Sequence, residues 1–432
     1  MTVVLLTDKY ELTMLTAALH DSKANLNTIF EVFARRLPAG RRYGIVSGVG
    51  RFIEALAEFK FTNYILKKLS KFLDSTTLDF LSSYQFHGDI EGYAEGELYF
   101  PGSPILTVSG KFAECILLET LVLSILNHDT AVASAAARII SAAQGKPVVE
   151  MGSRRTHELA AVSAARAAYI AGFAGSSNLA AQYQYNIPAI GTAGHSYMLL
   201  YTNEFGPNEV SAFRNQIAVL NINTTLLVDT YNITSGITNA VTVAGPKLGG
   251  VRIDSGNLSK LSRQVRYQLD KLGATNTKIS VSGDLNEFTI ASLCFEPIDS
   301  YGVGTSVVTG SGLPTAEMVY KLVEVNGKHV TKLSDNKKSY GGHKQAIRLA
   351  KISGTLVEEI IYSYGNKPLH KSKHKTCYLT VPLVIDGLPV KGHHPAKDIS
   401  MARKRVIVGL KNLPLKGLRL SYGEPAIPTR IL

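Results

Sequence analysis

Two arginines side by side open the chemistry of this chain. In EMGSRRTHE (150–158), Arg154 and Arg155 stand between a short apolar run and a helical one. Guanidinium groups at such a junction can clamp a carboxylate or phosphate through paired hydrogen bonds, aided by the free N–H groups of the helix start. GTAGHS (191–196) places His195 behind a Gly-rich turn. A lone histidine is most often a satisfied structural residue, but LLVDTY (226–231) supplies Asp229. That carboxylate could orient the imidazole and raise the basicity of its far nitrogen, as a nucleophilic or phosphate-accepting histidine requires. VRIDSGN (251–257) adds Arg252, Asp254 and Ser255, with Gly256 and Asn257 opening a helix. A carboxylate before a small turn suits a ribose hydroxyl, or Mg2+ beside a phosphate. SGD (282–284) repeats the theme, and YGVGTSVVTG (301–310) offers backbone N–H groups able to cradle an anion. Each signal alone is weak. In succession they spell a sugar phosphate.

The elements that must position these residues follow from the apolar pattern. From about 146, seven short apolar runs recur, each ending in a Gly-rich or polar turn: 148–153, 169–178, 187–196, 226–231, 249–257, 278–284 and 299–306. The clearest intervening helix is 257–272, where Leu258, Leu261, Val265, Leu269 and Leu272 share a face and Gly273 stops it. Strands alternating with helices imply a parallel sheet under helices, and seven units in so short a span point to a closed α/β barrel. Chemistry in such barrels sits on the loops after the strands, where every cluster above falls. Residues 1–130 read as mixed α+β, with a strand in 28–34, helices in 50–85 and 112–127, and short strands in 91–110. Beyond 330 the chain is basic and strand-like, and is expected to pack back on the N-terminal part. The expected domains are 1–130, 131–330 and 331–432.

Composition bounds the rest. The chain has 432 residues, 45% of them apolar and 19% charged, enough for two or three cored domains. Three distant cysteines, Cys115, Cys294 and Cys377, exclude a disulfide scaffold or zinc ribbon. No run is long enough for a membrane span, and the N-terminus lacks a signal-peptide pattern, so a cytoplasmic protein is expected. The formal net charge of +12 is lopsided: residues 321–432 hold 21 Lys and Arg against 7 Asp and Glu, and 1–320 hold 25 against 27. A basic end could attract nucleic acid or a polyphosphate, but no nucleic-acid-binding signature accompanies it. The histidines of 366–375 and His393–His394 fit no standard metal-ligand spacing.

With these residues in view, the chain resembles the nicotinate phosphoribosyltransferase family over essentially its whole length. The resemblance rests on TDKYELTM (7–14), FEVFARRLPAGRRYGIVSG (30–48), EMGSRRTHE, AGFAGSSN, GTAGHS, VDTY, GVRIDSGNL, SGDLNEF, YGVGTS and GEPAIPT (423–429), in order. It implies an irregular type II phosphoribosyltransferase barrel with a smaller α+β domain built from both chain ends, and a homodimer with shared active sites. It implies joining of nicotinate to 5-phosphoribosyl 1-pyrophosphate with Mg2+, coupled to ATP. On that basis His195 is the histidine transiently phosphorylated by ATP, with Asp229 as orienting partner. Arg252 and Asp254 would meet the pyridine and ribose. Asp284, Gly302, Gly304 and Thr305 would hold the 5′-phosphate, and Arg154 either that phosphate or the nicotinate carboxylate. Tyr10 would stack on the pyridine from the partner subunit, and Arg35 or Arg36 with Lys338 or Lys344 would reach the pyrophosphate in trans. Ser196, Ser255, Gly256 and Gly283 complete the implied substrate-binding set.

Two positions bear on the acceptor. Asn257 stands where the family usually has a carboxylate, and the nicotinamide-using relatives read DSGN there. Those relatives carry Asp where this chain has Ser177. A carboxylate would repel nicotinate, whereas a hydroxyl donates to it, so the acid is the expected substrate. The alternatives are nicotinamide phosphoribosyltransferase, quinolinate phosphoribosyltransferase and a non-catalytic phosphoribosyl-binding barrel. The last would have lost His195 or Asp254. Partners are therefore small molecules, with no nucleic acid and no membrane.

Overall fold

Between residues 148 and 308 strand and helix alternate, as the apolar runs require. The computed structural model describes residues 3–332, 340–368, 373–390 and 399–432. Six strands form one all-parallel sheet in the order Thr225–Leu227, Gly250–Ile253, Lys278–Val281, Ser300–Val303, Val148–Glu150 and Gly175–Ser176. The strands are two to four residues long and largely buried, so each delivers its polar successor to the sheet edge within a residue or two. Thr225 and Ile190–Thr192, from opposite ends of the sheet, line the same cavity of about 90 Å³ as Met151, Arg252, Ser280 and Ser300. The sheet is therefore strongly curved.

The seventh expected strand is not formed. The run 187–196 adds only a bridge, Ala189 beside Ser176, held by Ser176 N donating to Pro188 O and Ile190 N to Ser176 O. Pro188 has no N–H to extend a ladder, and no ladder joins this run to Thr225–Leu227 among the described residues. The structure is a curved parallel sheet rather than a fully hydrogen-bonded barrel.

The helix Leu258–Lys271 begins at Asn257, whose side chain accepts from Lys260 N, and buries Val265 and Leu269. Asn257 is thus a helix cap. Gly273, at φ +78°, ends the helix in the left-handed conformation.

The chain divides into two units, residues 135–312 and residues 1–134 with 313–432. The second crossing falls at Gly312 rather than at 330, because Met318–Val325 pairs antiparallel with Asn27–Ala34. In this two-ended unit a seven-stranded antiparallel sheet runs Lys328–His329, Met318–Val325, Asn27–Ala34, Leu106–Lys111, Asp89–Tyr93, Thr380–Ile385, Leu388–Pro389. Phe30 stacks on Tyr320 in its core, ring centroids 4.7 Å apart. A second sheet holds Lys375–Tyr378, Lys344–Ala350, Leu356–Ser363 and Thr429–Ile431. The basic end also forms a helix, Ser400–Asn412, that its strand-like composition does not announce. No described helix is long and apolar enough to cross a membrane.

Candidate active site

His195 is the first residue of the helix His195–Leu200, behind Gly194. Its Nδ1 lies 3.1 Å from Thr230 Oγ1, and its Nε2 lies 3.7 Å from Asp254 Oδ2. Asp229, the expected orienting partner, does not reach the ring. Its Oδ2 instead accepts from Asp254 N at 2.8 Å and from Ser255 Oγ at 3.0 Å. The partner is the next residue, Thr230, because consecutive side chains leaving a strand point to opposite sides. Asp229 acts one shell further out, fixing the loop that presents Asp254.

The neighbouring strand ends are tied in the same manner. Ser282 Oγ donates to Asp254 Oδ1, and Ser306 Oγ donates to Leu285 O at 2.5 Å. Gly283, at φ +100°, carries no side chain because a Cβ there would meet Asp254 O at 2.1 Å. Asp284 follows, exposed, with its carboxylate unengaged by described residues. Gly302 is buried against Met151, and Gly304 precedes Thr305, the exposed first residue of a helical turn. Arg252 lies on the cavity wall with its Nε buried and without a hydrogen-bond partner. Gly256 is exposed on the loop bearing Ser255, and Ser196 is exposed in the first turn of the helix that His195 opens. This unit therefore brings His195, Arg252, Asp254, Ser255, Asp284 and the Gly304 loop to the C-terminal ends of one sheet.

Arg154 and Arg155 are exposed after the strand Val148–Glu150, in ion pairs with no described residue. Ser177, also exposed, follows the adjacent strand Gly175–Ser176, and its backbone N–H donates to Glu150 O. Glu150 itself is buried and accepts from Gly152 N and Ser176 Oγ. Burial holds its carboxyl above the usual carboxylate range, although both hydrogen bonds pull it back.

The remaining predicted residues belong to the two-ended unit. Tyr10 is 44% exposed, and its hydroxyl is raised above the ordinary tyrosine range by partial burial, then by Glu119 and Glu11. Arg35 is half-buried near the Phe33 ring with its Nε unbonded. Arg36 is exposed and pairs with Glu317 at 2.9 Å. Lys344 departs from expectation. It is buried, donates to Tyr340 O and Gly342 O, and pairs with Glu31 at 3.1 Å, so its ammonium is consumed inside the fold. Lys338 and His393–His394 lie outside the described residues.

Sequence reasoning missed Thr230, Ser282 and Glu150. Each is adjacent to, or inside, a motif already singled out. A small hydroxyl or acid at a strand end or within three residues of it was the available signal.

Comparisons with known proteins place the chain among relatives of one kind. Residues 5–127 match the nicotinate phosphoribosyltransferase N-terminal domain, and residues 147–353 match the nicotinate phosphoribosyltransferase family. A nicotinate phosphoribosyltransferase of Mycobacterium tuberculosis is 60% identical over 99% of this chain and 95% of its own. One from Bacillus subtilis is 38% identical over 79% of this chain and 72% of its own. The crystal structure of human nicotinic acid phosphoribosyltransferase superposes with a TM-score of 0.82 at 22% identity, covering 98% of this chain and 97% of that one, a likeness of fold.

Proposed function

The chain belongs to the nicotinate phosphoribosyltransferase family, and from that premise we propose that it joins nicotinate to 5-phosphoribosyl 1-pyrophosphate, giving nicotinate mononucleotide and pyrophosphate in the synthesis of NAD. The observation that carries the reading is the single rim on which His195, Arg252, Asp254 and the Gly304 loop converge, with His195 Nε2 3.7 Å from Asp254 Oδ2.

The nicotinate ring nitrogen attacks C1′, and the C1′–O bond to pyrophosphate breaks through an oxocarbenium-like centre, as in glycoside chemistry. Arg252, its Nε unpaired on the cavity wall, is suited to the acceptor's charge, and Ser177 can donate where a carboxylate would repel it. Asp254 faces the ribose side. Thr305 and the N–H groups after Gly304 suit the 5′-phosphate, with the exposed Arg154 as the cation for that phosphate or for the nicotinate carboxylate.

ATP coupling would run through His195. With its Nδ1 proton donated to Thr230 Oγ1, the ring presents the Nε2 lone pair for attack on the terminal phosphorus of ATP, and ADP leaves. Water then returns the histidine and releases phosphate. Mg2+, when bound, neutralises the leaving pyrophosphate. Asp254 and the unengaged Asp284 are hard oxygen donors suited to it, the other ligands coming from phosphate and water. Arg36 and Tyr10, exposed on the two-ended unit, are the groups we assign to action across a homodimer.

The test is product formation from 5-phosphoribosyl 1-pyrophosphate and Mg2+ with nicotinate or nicotinamide, each with and without ATP. Nicotinate turnover stimulated by ATP is expected, with the stimulation abolished in His195→Ala. Turnover of nicotinamide alone would replace the acceptor, and an undiminished ATP effect in the variant would remove His195 from the coupling.

A further inference from the structure

Two loops in the rim are joined through one buried acid that the chemistry above does not use. Glu150 ends the strand Val148–Glu150 at 1% exposure. Its Oε1 accepts from Gly152 N, two residues on in its own loop, and its Oε2 accepts from Ser176 Oγ on the adjacent strand. The tie continues outward. Ser176 Oγ accepts from Asn178 N at 2.9 Å, and Asn178 Nδ2 donates to Ser153 Oγ at 3.0 Å. The backbone closes it, with Ser177 N donating to Glu150 O at 2.8 Å. Gly152 is also wedged against the anion loop, since a Cβ there would meet Val308 at 2.3 Å and Gly304 O at 2.9 Å.

A carboxylate buried this deeply is costly unless its acceptors are filled, and an apolar side chain would serve a core position with less desolvation. What an apolar residue cannot do is hold two loops at once. The tips of those loops carry Arg154 and Ser177, both exposed and both without a side-chain partner among the described residues. We infer that Glu150 is a positioning residue that clasps the 151–156 and 176–178 loops into one rigid piece, so that Arg154 and Ser177 grip the substrates at a fixed separation. The inference rests on the phosphoribosyl-transfer reading of the rim.

A rigid clasp acts on binding. Displacements of about 1 Å in positioning groups cost on the order of 10²-fold in productive substrate geometry. Glu150→Ala removes both bonds, leaving the Asn178–Ser153 contact and the backbone bond from Ser177 N to tie the loops. Glu150→Gln keeps both, because the amide oxygen can accept from Gly152 N and the amide N–H₂ can donate to Ser176 Oγ. Charge is therefore dispensable to a clasp, and indispensable to an acid, a base or an electrostatic anchor.

The experiment is steady-state kinetics of wild type, Glu150→Ala, Glu150→Gln and Ser176→Ala, with nicotinate and 5-phosphoribosyl 1-pyrophosphate varied in turn and Tm measured on each. The expected result for Glu150→Ala is a KM increase of about tenfold for at least one substrate, with kcat within about threefold. Glu150→Gln should recover most of that KM. Ser176→Ala, which removes one arm of Glu150 and the Asn178 N contact but leaves Gly152 N on Oε1, should raise KM in the same direction by a smaller factor, and it decides the matter if Glu150→Ala does not fold. Unchanged KM values, a loss confined to kcat, or Glu150→Gln as poor as Glu150→Ala would each overturn the clasp. Absence of turnover in wild type would sink the functional reading and the clasp with it. A wild type that turns over while the variants share its KM values would sink the clasp alone.

Discussion

Five cations, two in one unit and three in the other, are put to opposite uses. In the two-ended unit, Arg348 is buried at 4% exposure, donates to Glu359 and Leu98 O, and pairs with Glu97, while Lys344 is enclosed by Glu31 and two carbonyls. In the parallel-sheet unit, Arg154 and Arg155 stand exposed without an ion pair among the described residues, and Arg252 faces a cavity with its Nε unbonded. The excess of positive charge lies toward the chain's end, yet two of its cations there are locked into the core. The cations we assign to an anionic substrate, Arg154, Arg252 and Arg36, come from residues 1–320, which carry no excess. Net charge counts side chains, whereas a ligand meets only those whose hydrogen-bond capacity the fold has left open.

The largest effect expected from this contrast is on stability. Arg348→Met leaves Glu359 buried without its cation, and breaking a buried pair on one side costs about 3–5 kcal/mol. Chemical denaturation should register a loss of that order, while KM for both substrates in the surviving folded protein stays near wild type. A variant as stable as wild type would mean that Glu359 is satisfied by Tyr93 and Ser103 alone, which also donate to it.

Arg154→Ala should behave in the converse way. Loss of an exposed guanidinium leaves Tm unchanged, but a two-pronged contact to phosphate or carboxylate is worth about 10²-fold in kcat/KM. Which substrate's KM rises tells which anion it holds. If 5-phosphoribosyl 1-pyrophosphate alone is affected, the residue belongs to the phosphate, and if nicotinate alone, to the acceptor carboxylate. No change in either would remove Arg154 from the site and leave the parallel unit with one cation fewer than the comparison requires.

How much of this was legible in the sequence depends on what each feature needed. The parallel strands and their helices were, because short apolar runs separated by amphipathic segments have few other ways to be buried. The helix after Asn257 was, down to its Gly273 stop, because caps and stops are local chemistry. The partner of His195 was not. Asp229 and Thr230 are adjacent, and a one-residue step at a strand end reverses which side of the sheet a side chain serves. Nor was the seventh strand's reduction to one bridge at Ala189, which depends on a long-range neighbour. Lys344 and Arg348 sit two turns of the pleat apart on one strand face, and nothing local announces that Glu31 and Glu359 lie opposite. The helix Ser400–Asn412 was hidden by its Val-Ile-Val run and its charges, and is fixed by burying Ala402 and Val406.

The smallest effect expected concerns how far Glu31 compensates Lys344. Burial raises the Glu31 carboxyl from the usual carboxylate range to about 7, with Lys344 and then His343 pulling the other way. The folded chain therefore holds this proton more tightly than the unfolded chain does. Stability contributed by the group is complete below pH of about 4.5 and is lost as the pH rises through about 7. Thermal melts between pH 5 and 8 should carry a downward slope from this site of roughly 2–3 kcal/mol, or about 3 °C in Tm. Glu31→Gln cannot titrate, and Lys344 keeps its bonds to Tyr340 O and Gly342 O, so the variant's slope should be flatter. A slope that persists unchanged in Glu31→Gln would place the titration elsewhere. A variant that is markedly weaker at pH 8 than wild type would mean that the buried pair is fully ionic, and that desolvation of Glu31 is outweighed by its lysine. That outcome would sharpen the contrast between the units: one would hold its cations by charge, the other would hold them ready for a charge that arrives with the substrate.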